Sequence, residues 1–492
     1  MSLIRISNLT FAYDGSPDCV FENASFEFDT NWKLGLIGRN GKGKTTLLNL
    51  LMGKYEYRGT ISASVGFDYF PFEVPDESKS ALELFHSLVP DCEDWRAERE
   101  LSLLDVSPNA AERPFSTLSR GERTKILLAA LFLKENRFLL IDEPTSHLDL
   151  EARERTARYL RSKSGFLLVS HDRAFLDGCV DHILSINRKS IDLEQGNCSS
   201  FLENKRLRDE FELAEHKKLE RTVKRLSDAA ERTSGWSDRV EQTKHGTRNS
   251  GLRPDRGYIG HKSAKMMKRA KSTEARREKA VREQSELLQN LDTAESLKIH
   301  PLSPPNGLLA EARELCLYYG SRKVCGPVSF RLCAGDRLFL RGRNGSGKSS
   351  LLKLFTGQKI DYTGDFRSAP WLVVSHVPQE TDFLRGTLTE FAESRGIDRT
   401  LLFSILRKLD FSRALFEQDT AGYSEGQKKK VLLAASLCEP AHLYLWDEPL
   451  NYVDLLSRVQ LEELIRAFSP TTLFVEHDRA FQETVSTGFV EL

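Results

Sequence analysis

Two short stretches of this chain set a lysine and hydroxyl residues behind closely spaced glycines. They are Gly38-Arg39-Asn40-Gly41-Lys42-Gly43-Lys44-Thr45-Thr46 and Gly342-Arg343-Asn344-Gly345-Ser346-Gly347-Lys348-Ser349-Ser350. Glycines let a backbone curl until several N–H groups converge on phosphate oxygens. Lys44 and Lys348 add positive charge at the β- and γ-phosphates, and Thr45 and Ser349 offer a hydroxyl to Mg²⁺. Further on, Phe138-Leu139-Leu140-Ile141-Asp142-Glu143 and Leu443-Tyr444-Leu445-Trp446-Asp447-Glu448 each end an apolar run in two acids. The first acid, Asp142 or Asp447, suits Mg²⁺, directly or through water. The second, Glu143 or Glu448, is placed to orient or deprotonate an attacking water. The expected reaction is hydrolysis of ATP with Mg²⁺.

These groups must be held by strands and helices. The apolar segment Leu34–Ile37 precedes the first glycine-rich loop, and Thr46-Leu47-Leu48-Asn49-Leu50-Leu51 follows it as a helix. Strand, loop and helix in that order define a phosphate-binding loop. Four motifs recur in the same order at offsets of 304, 305, 305 and 306 residues, starting from Gly38, Leu118, Asp142 and Ser170. A near-constant offset means a duplicated α/β domain. The copies are expected over residues 1–195 and 306–492, with residues 196–305 between them.

Ser119-Arg120-Gly121 and Ser424-Glu425-Gly426 resemble the signature motif of the ABC ATPase family. In that family two nucleotide-binding domains meet head to tail. The resemblance therefore implies that Lys44, Asp142 and Glu143 share a site with Ser424 and Gly426. Lys348, Asp447 and Glu448 then share one with Ser119 and Gly121. His171 and His477 resemble the family's switch histidines, which contact the γ-phosphate. A lone histidine is more often a surface or core residue, but these two follow apolar strands 28 and 29 residues past their glutamates. Val377-Pro378-Gln379 resembles the Q-loop, making Gln379 a further metal and nucleotide contact. The matching stretch in the first copy is Phe70-Pro71-Phe72, and Phe72 has no group for metal or water; Glu73 is the available substitute. Tyr13 and Tyr319 are either adenine-stacking residues or core aromatics.

The segment between the copies reads differently. Leu207, Phe211, Leu219, Val223, Leu226 and Ala230 fall at helical spacing, as do Met267, Ala270, Val281, Leu288 and Leu291. Gly235, Gly246, Gly251, Pro254, Gly257 and Gly260 interrupt them. The expectation is a long antiparallel α-helical hairpin with its tip near 235–260. About 35 residues per arm would reach roughly 50 Å. From Arg232 to Lys271 eleven Lys and Arg face three acids, on a chain with 71 basic and 71 acidic residues overall. Cations with interleaved rings suit RNA, so Trp236, Lys244, His245, Arg248, Arg253, Arg256, Tyr258, Lys262, Lys265, Lys268 and Arg269 are candidate RNA contacts. A solvated, charged coiled-coil linker is the blander reading.

No run approaches the roughly 20 apolar residues needed to span a bilayer. Met1-Ser2-Leu3-Ile4-Arg5 lacks the blocks of a signal peptide. The eight cysteines include no C-x-x-C pair, which suits a reducing compartment. A cytoplasmic protein is expected. Two ABC domains, a helical linker and no membrane segment resemble the ABC-F proteins over essentially the whole chain. Asn31-Trp32-Lys33-Leu34-Gly35-Leu36-Ile37-Gly38-Arg39-Asn40-Gly41 and Gly257-Tyr258-Ile259-Gly260-His261-Lys262-Ser263-Ala264-Lys265-Met266-Met267-Lys268-Arg269 are similar to the Lsa-type ribosome-protection proteins. That resemblance implies a monomer that pairs its two ATPase domains internally. It also implies binding at the tRNA exit site of the bacterial 70S ribosome, against 23S rRNA and P-site tRNA. The activity implied is protection against lincosamides, pleuromutilins and streptogramin A compounds. The alternatives are a housekeeping ABC-F factor acting on stalled ribosomes and the ATPase subunit of an exporter. A DNA-repair ABC protein would carry inserted zinc-binding cysteines, which this chain lacks.

Overall fold

The computed structural model describes residues 2–14, 19–90, 92–145, 148–187, 190–242, 297–343, 345–409, 411–412, 415–451 and 453–492, with scattered positions between 261 and 281. Among the described residues of the first half nine strands form: β1 (Leu3–Phe11), β2 (Phe21–Asp29), β3 (Lys33–Gly38), β4 (Arg58–Ser62), β5 (Gly66–Phe70), β6 (Arg137–Asp142), β7 (Phe166–Val169), β8 (His182–Ile186) and β9 (Ile191–Gln195). They build an antiparallel sheet ordered β2-β1-β4 and a six-stranded sheet ordered β5-β6-β7-β3-β8-β9. In the larger sheet β5 to β8 run parallel with β3, and β9 pairs antiparallel with β8. Continuous apolar runs such as Phe138–Ile141 and Phe166–Val169 are buried throughout, as strands covered on both faces must be.

The second half repeats the plan with β10 (Leu308–Tyr319), β11 (Arg322–Cys333), β12 (Arg337–Arg341), β13 (Asp361–Ser368), β14 (Val374–Val377), β15 (Leu443–Asp447), β16 (Thr472–Val475) and β17 (Gly488–Glu491). Its sheets are ordered β11-β10-β13 and β14-β15-β16-β12-β17. The helices after the glycine-rich loops, Lys44–Leu51 and Lys348–Phe355, bury Leu47, Leu48, Leu50 and Leu51 in one copy and Leu351, Leu352 and Phe355 in the other. At about 1.5–3 kcal/mol per buried side chain, this packing fixes each loop against its sheet. Packing of the second half begins ahead of the expected boundary at 306. Leu297 and Ile299 join the core around Phe339 and Trp446, and Leu302 N–H donates to Ala441 O at 2.8 Å.

The chain divides into two compact units: Met1–Ser199 with Ala294–Leu492, and Ser200–Thr293. Both nucleotide-binding halves therefore lie in one unit. The second unit contains most of a single 45-residue helix, Cys198–Gln242, about 68 Å long at 1.5 Å per residue. It runs through Gly235 and Trp236, where the sequence suggested that the loop begins. One glycine costs a helix interior only about 1 kcal/mol, too little to stop a helix already propagating. Described positions from His261 to Val281 are helical too. The turn and the pairing of the two arms fall outside the described residues. Among the described residues no helix is long and apolar enough to cross a membrane.

Candidate active site

Each phosphate loop is shaped by glycines in the left-handed region, Gly41 and Gly43 at φ 80° and 95°, Gly345 and Gly347 at 82° and 93°. A Cβ at Gly43 would stand 2.6 Å from Val20 and 3.0 Å from Phe21, and one at Gly347 2.7 Å from Cys325. The loop thus needs glycine for both conformation and space. Lys44 Nζ donates to Gly38 O at 2.6 Å, Arg39 O at 3.3 Å and Asn40 Oδ1 at 3.3 Å. Lys348 Nζ donates to Gly342 O and Arg343 O at 2.8 and 2.9 Å. Burial lowers the pKa of both ammonium groups. Asn344 lies outside the described residues.

Strand ends bring the acids to these loops. Thr45 Oγ1 donates to Asp142 Oδ2 at 3.3 Å, and Ser349 hydrogen-bonds Asp447 in the same way. Burial raises both aspartates, Asp447 to about 6. Glu143 and Glu448 follow with φ of 48° and 49°, and their N–H groups donate to Val169 O and Val475 O. Burial, and then the charge of Asp142, push Glu143 to about 7. His171 Nε2 stands 3.4 Å from Glu143 Oε1, and His477 Nε2 4.0 Å from Glu448 Oε1. Burial lowers both histidines, His477 to about 4, which favours the uncharged imidazole.

Strand register aligns Phe72 with Gln379, because Phe70 pairs with Ile141 and Val377 with Trp446. Gln379 Nε2 donates to Glu448 Oε2 at 3.2 Å, and Asn451 Nδ2 to the same oxygen at 2.6 Å. The first copy compensates differently. Tyr69 OH donates to Asp142 Oδ2 at 3.0 Å, the oxygen Thr45 already uses. Glu73, the suggested substitute, is exposed. Sequence reasoning missed Tyr69 and Asn451; the signal for Tyr69 was its place three residues before the odd Phe72. Tyr13 and Tyr319 are 44% and 51% exposed, which removes the core-aromatic reading. Their hydroxyls pair with Thr46 Oγ1 at 2.7 Å and Ser350 Oγ at 3.2 Å, holding a ring beside each loop.

Ser119 and Ser424 are N-caps. Each accepts from the backbone N–H of Glu122 or Gln427, which bonds back to complete a capping box. Ser119 and Gly121 line one cavity of about 570 Å³ with Gln379, Glu448 and His477. The first signature thus faces the second site. At the first site a smaller cavity, about 140 Å³, joins Asn40, Glu143 and His171 to Asn451 and Arg458 of the second half. Ser424 and Gly426 are not among its lining residues. Of the RNA-contact candidates, Lys265 and Lys268 are helical and exposed. Trp236 is in the long helix. Lys244, His245, Arg248, Arg253, Arg256, Tyr258, Lys262 and Arg269 lie outside the described residues.

Oxygen donors at a glycine-rich loop suit Mg²⁺, which prefers carboxylate, hydroxyl and water. The second site fits: Asp447 Oδ1 is buried without a hydrogen-bond partner among the described residues, with Ser349 and Gln379 nearby. The first fits less well, since Tyr69 and Thr45 both occupy Asp142 Oδ2.

Two strand-positioned phosphate loops, each with an acid pair and a histidine, and a capped signature helix from one half facing the other half's site, define a tandem P-loop ATPase. The family model described as ABC transporter matches residues 21–146 and 325–451, and the chain belongs to that family as an ATPase. The probable ATP-binding protein YheS of Escherichia coli K12 is 28% identical over 94% of this chain and 74% of its own length. The ribosome protection protein VmlR of Bacillus subtilis is 26% identical over 99% and 86%. The ATP-binding protein Uup of Caulobacter vibrioides is 27% identical over 100% and 77%. The ABC-F resemblance is upheld by these matches, which run over 94–100% of this chain. Among solved structures, the archaeal ribosome recycling factor aABCE1 in complex with stalk protein aP1 superposes with TM-score 0.63 at 19% identity, covering 98% of this chain and 87% of that one. The RNase-L inhibitor gives 0.60 at 20%, covering 98% and 86%. These likenesses establish the tandem fold.

Proposed function

We propose that this ATPase binds the bacterial 70S ribosome at the tRNA exit site in its ATP-bound form. There it protects the peptidyl-transferase centre from lincosamide, pleuromutilin and streptogramin A antibiotics, and ATP hydrolysis releases it. The observation that carries the reading is the match to VmlR, a ribosome protection protein, across 99% of this chain. The long helix Cys198–Gln242 and the basic run beyond it supply reach and charge toward 23S rRNA and P-site tRNA.

In the hydrolytic cycle Lys44 and Lys348 bind the β- and γ-phosphates, exchanging loop carbonyls for phosphate oxygens. Mg²⁺, held by Ser349, Asp447 and Gln379 at one site and Thr45 and Asp142 at the other, would neutralise phosphate charge. Glu448 and Glu143 orient the attacking water and draw off its proton. His477 and His171 hold the γ-phosphate as neutral donors. Ser119 and Gly121 close the second site from across the domain interface, and Ser424 and Gly426 the first. Tyr13 and Tyr319 stack on adenine. The domains pair within one monomer, in the cytoplasm.

The test is drug susceptibility of a sensitive bacterium expressing the chain, with ribosome co-sedimentation in ATP. Replacing residues 243–260 by a short Gly/Ser turn should leave ATP hydrolysis intact and abolish protection. Ribosome binding without any drug phenotype would favour a housekeeping factor. Co-sedimentation with membranes instead would overturn the ribosomal reading.

A further inference from the structure

The residue before each histidine differs between the copies: Ser170 precedes His171, but Glu476 precedes His477. Glu476 is 4% exposed. Its Oε1 accepts from His477 N–H at 2.7 Å and Asp478 N–H at 3.3 Å, while Oε2 accepts from Leu450 N–H at 3.2 Å. Leu450 lies in the turn after Glu448, beside Asn451, which bonds Glu448 and also lines the first site's cavity beside Glu143. One buried carboxylate therefore joins the histidine loop of the second site to a loop that touches both sites.

The first half has a weaker version. Ser170 Oγ accepts from Asp172 N–H at 3.2 Å and meets Thr145 Oγ1 at 3.4 Å, a long neutral contact. Two further ties are common to both copies. Arg153 bonds Leu148 O and Asp172, as Arg458 bonds Val453 O and Asp478. The second half adds two charge-assisted ties, the Glu476 bridge and Arg458 Nη2 donating to Leu450 O at 2.8 Å, and such bonds are roughly twice as strong as neutral ones.

We propose that Glu476 is a positioning residue that locks the His477 loop to the turn carrying Leu450 and Asn451, so that the second site's γ-phosphate contact and the first site's cross-domain wall move together. The assignment rests on the reading of His477 given above. Facing Glu476 are the guanidinium groups of Arg458 and, from the first half, Arg153, the ammonium of Lys429 from the second signature helix, and the carboxylate of Asp478 on its own loop; burial still lifts it to about 7. Protonation would turn one acceptor oxygen into a hydroxyl facing an N–H donor and loosen the bridge.

The experiment uses the full chain carrying Glu143→Gln, so that turnover reports the second site. Adding Glu476→Ser, which recreates the first-half arrangement, should lower kcat about tenfold with KM changed less than about twofold. Glu476→Gln should lower it less and remove the fall in rate between pH 7.5 and 6. A wild-type rate and acid limb in Glu476→Gln would overturn the proposal. So would a loss of kcat in Glu476→Ser that tracks only a loss of folded protein by thermal unfolding. His477→Ala is the control. If it leaves turnover unchanged, the reading of His477 fails; if it abolishes turnover while both Glu476 variants are silent, only the positioning role fails.

Discussion

Glu143 and Glu448 adopt a left-handed backbone, φ 48° and 49°, that costs residues with side chains about 1–3 kcal/mol. The conformation sets each carboxyl at the end of a buried strand, beside His171 in one copy and beside Gln379, Asn451 and His477 in the other. Glutamine keeps that shape and removes the carboxylate proposed above as the base. Glu143→Gln with Glu448→Gln should therefore retain ATP binding while turnover falls about 100-fold or more, checked by nucleotide retention and phosphate release. The pH dependence follows from burial. Glu143 is raised to about 7, so its basic form grows only as pH rises through neutrality. In a Glu448→Gln background, turnover at the first site should rise from pH 6 to 8; a flat profile would remove Glu143 as the base. Phe72 and Tyr69 add an asymmetry. Tyr69 donates to the Asp142 oxygen that Thr45 uses, and no glutamine completes the first site. The two single Gln variants should have unequal residual rates, the Lys44 site being slower. Tyr69→Phe should narrow the gap and change the Mg²⁺ concentration needed for nucleotide binding at that site.

At the level of elements, the signature helices show how one residue serves two ends. Ser119 caps the helix Arg120–Phe132 by accepting from Glu122 N–H at 3.3 Å, and it also lines the cavity containing Glu448. Ser119→Ala should cost about 1 kcal/mol of stability, read from the midpoint of urea unfolding, and should also weaken ATP-driven closure at the second site. Phosphate loops and acid pairs were legible beforehand because each is a local pattern whose chemistry dictates its spacing. Tyr69, Asn451 and Glu476 were not. Their importance comes from partners 73, 3 and 26 residues away, and only strand register and loop packing set them against those partners. Gly235 misled for the opposite reason: a local breaker signal was outweighed by the length of the helix around it. Leu297 and Ile299 were assigned to the linker because residues 196–305 have no counterpart in the repeat, yet both pack into the second half's apolar core.

The whole molecule holds its two nucleotide-binding halves in one compact unit. Arg479 reaches Glu154 at 2.7 Å and Arg173 reaches Glu462 at 3.9 Å across the halves. The first pair is about half exposed on each side, and pairs of that kind contribute only about 0–1 kcal/mol. Arg479→Ala should therefore barely move the thermal midpoint at physiological salt, and a large shift would mean that the pair does more than clasp. Covalent tandem arrangement has a further consequence. Meeting of the halves is first order, so the rate of ATP-driven closure should not depend on protein concentration, even at dilutions that would dissociate a two-chain assembly. A homodimer made from one copy would have to place the same residue at positions 170 and 476, and at 72 and 379. Fusion removes that constraint. One half can drift toward holding nucleotide and the other toward consuming it, and the pair remains matched one to one in every molecule the cell makes.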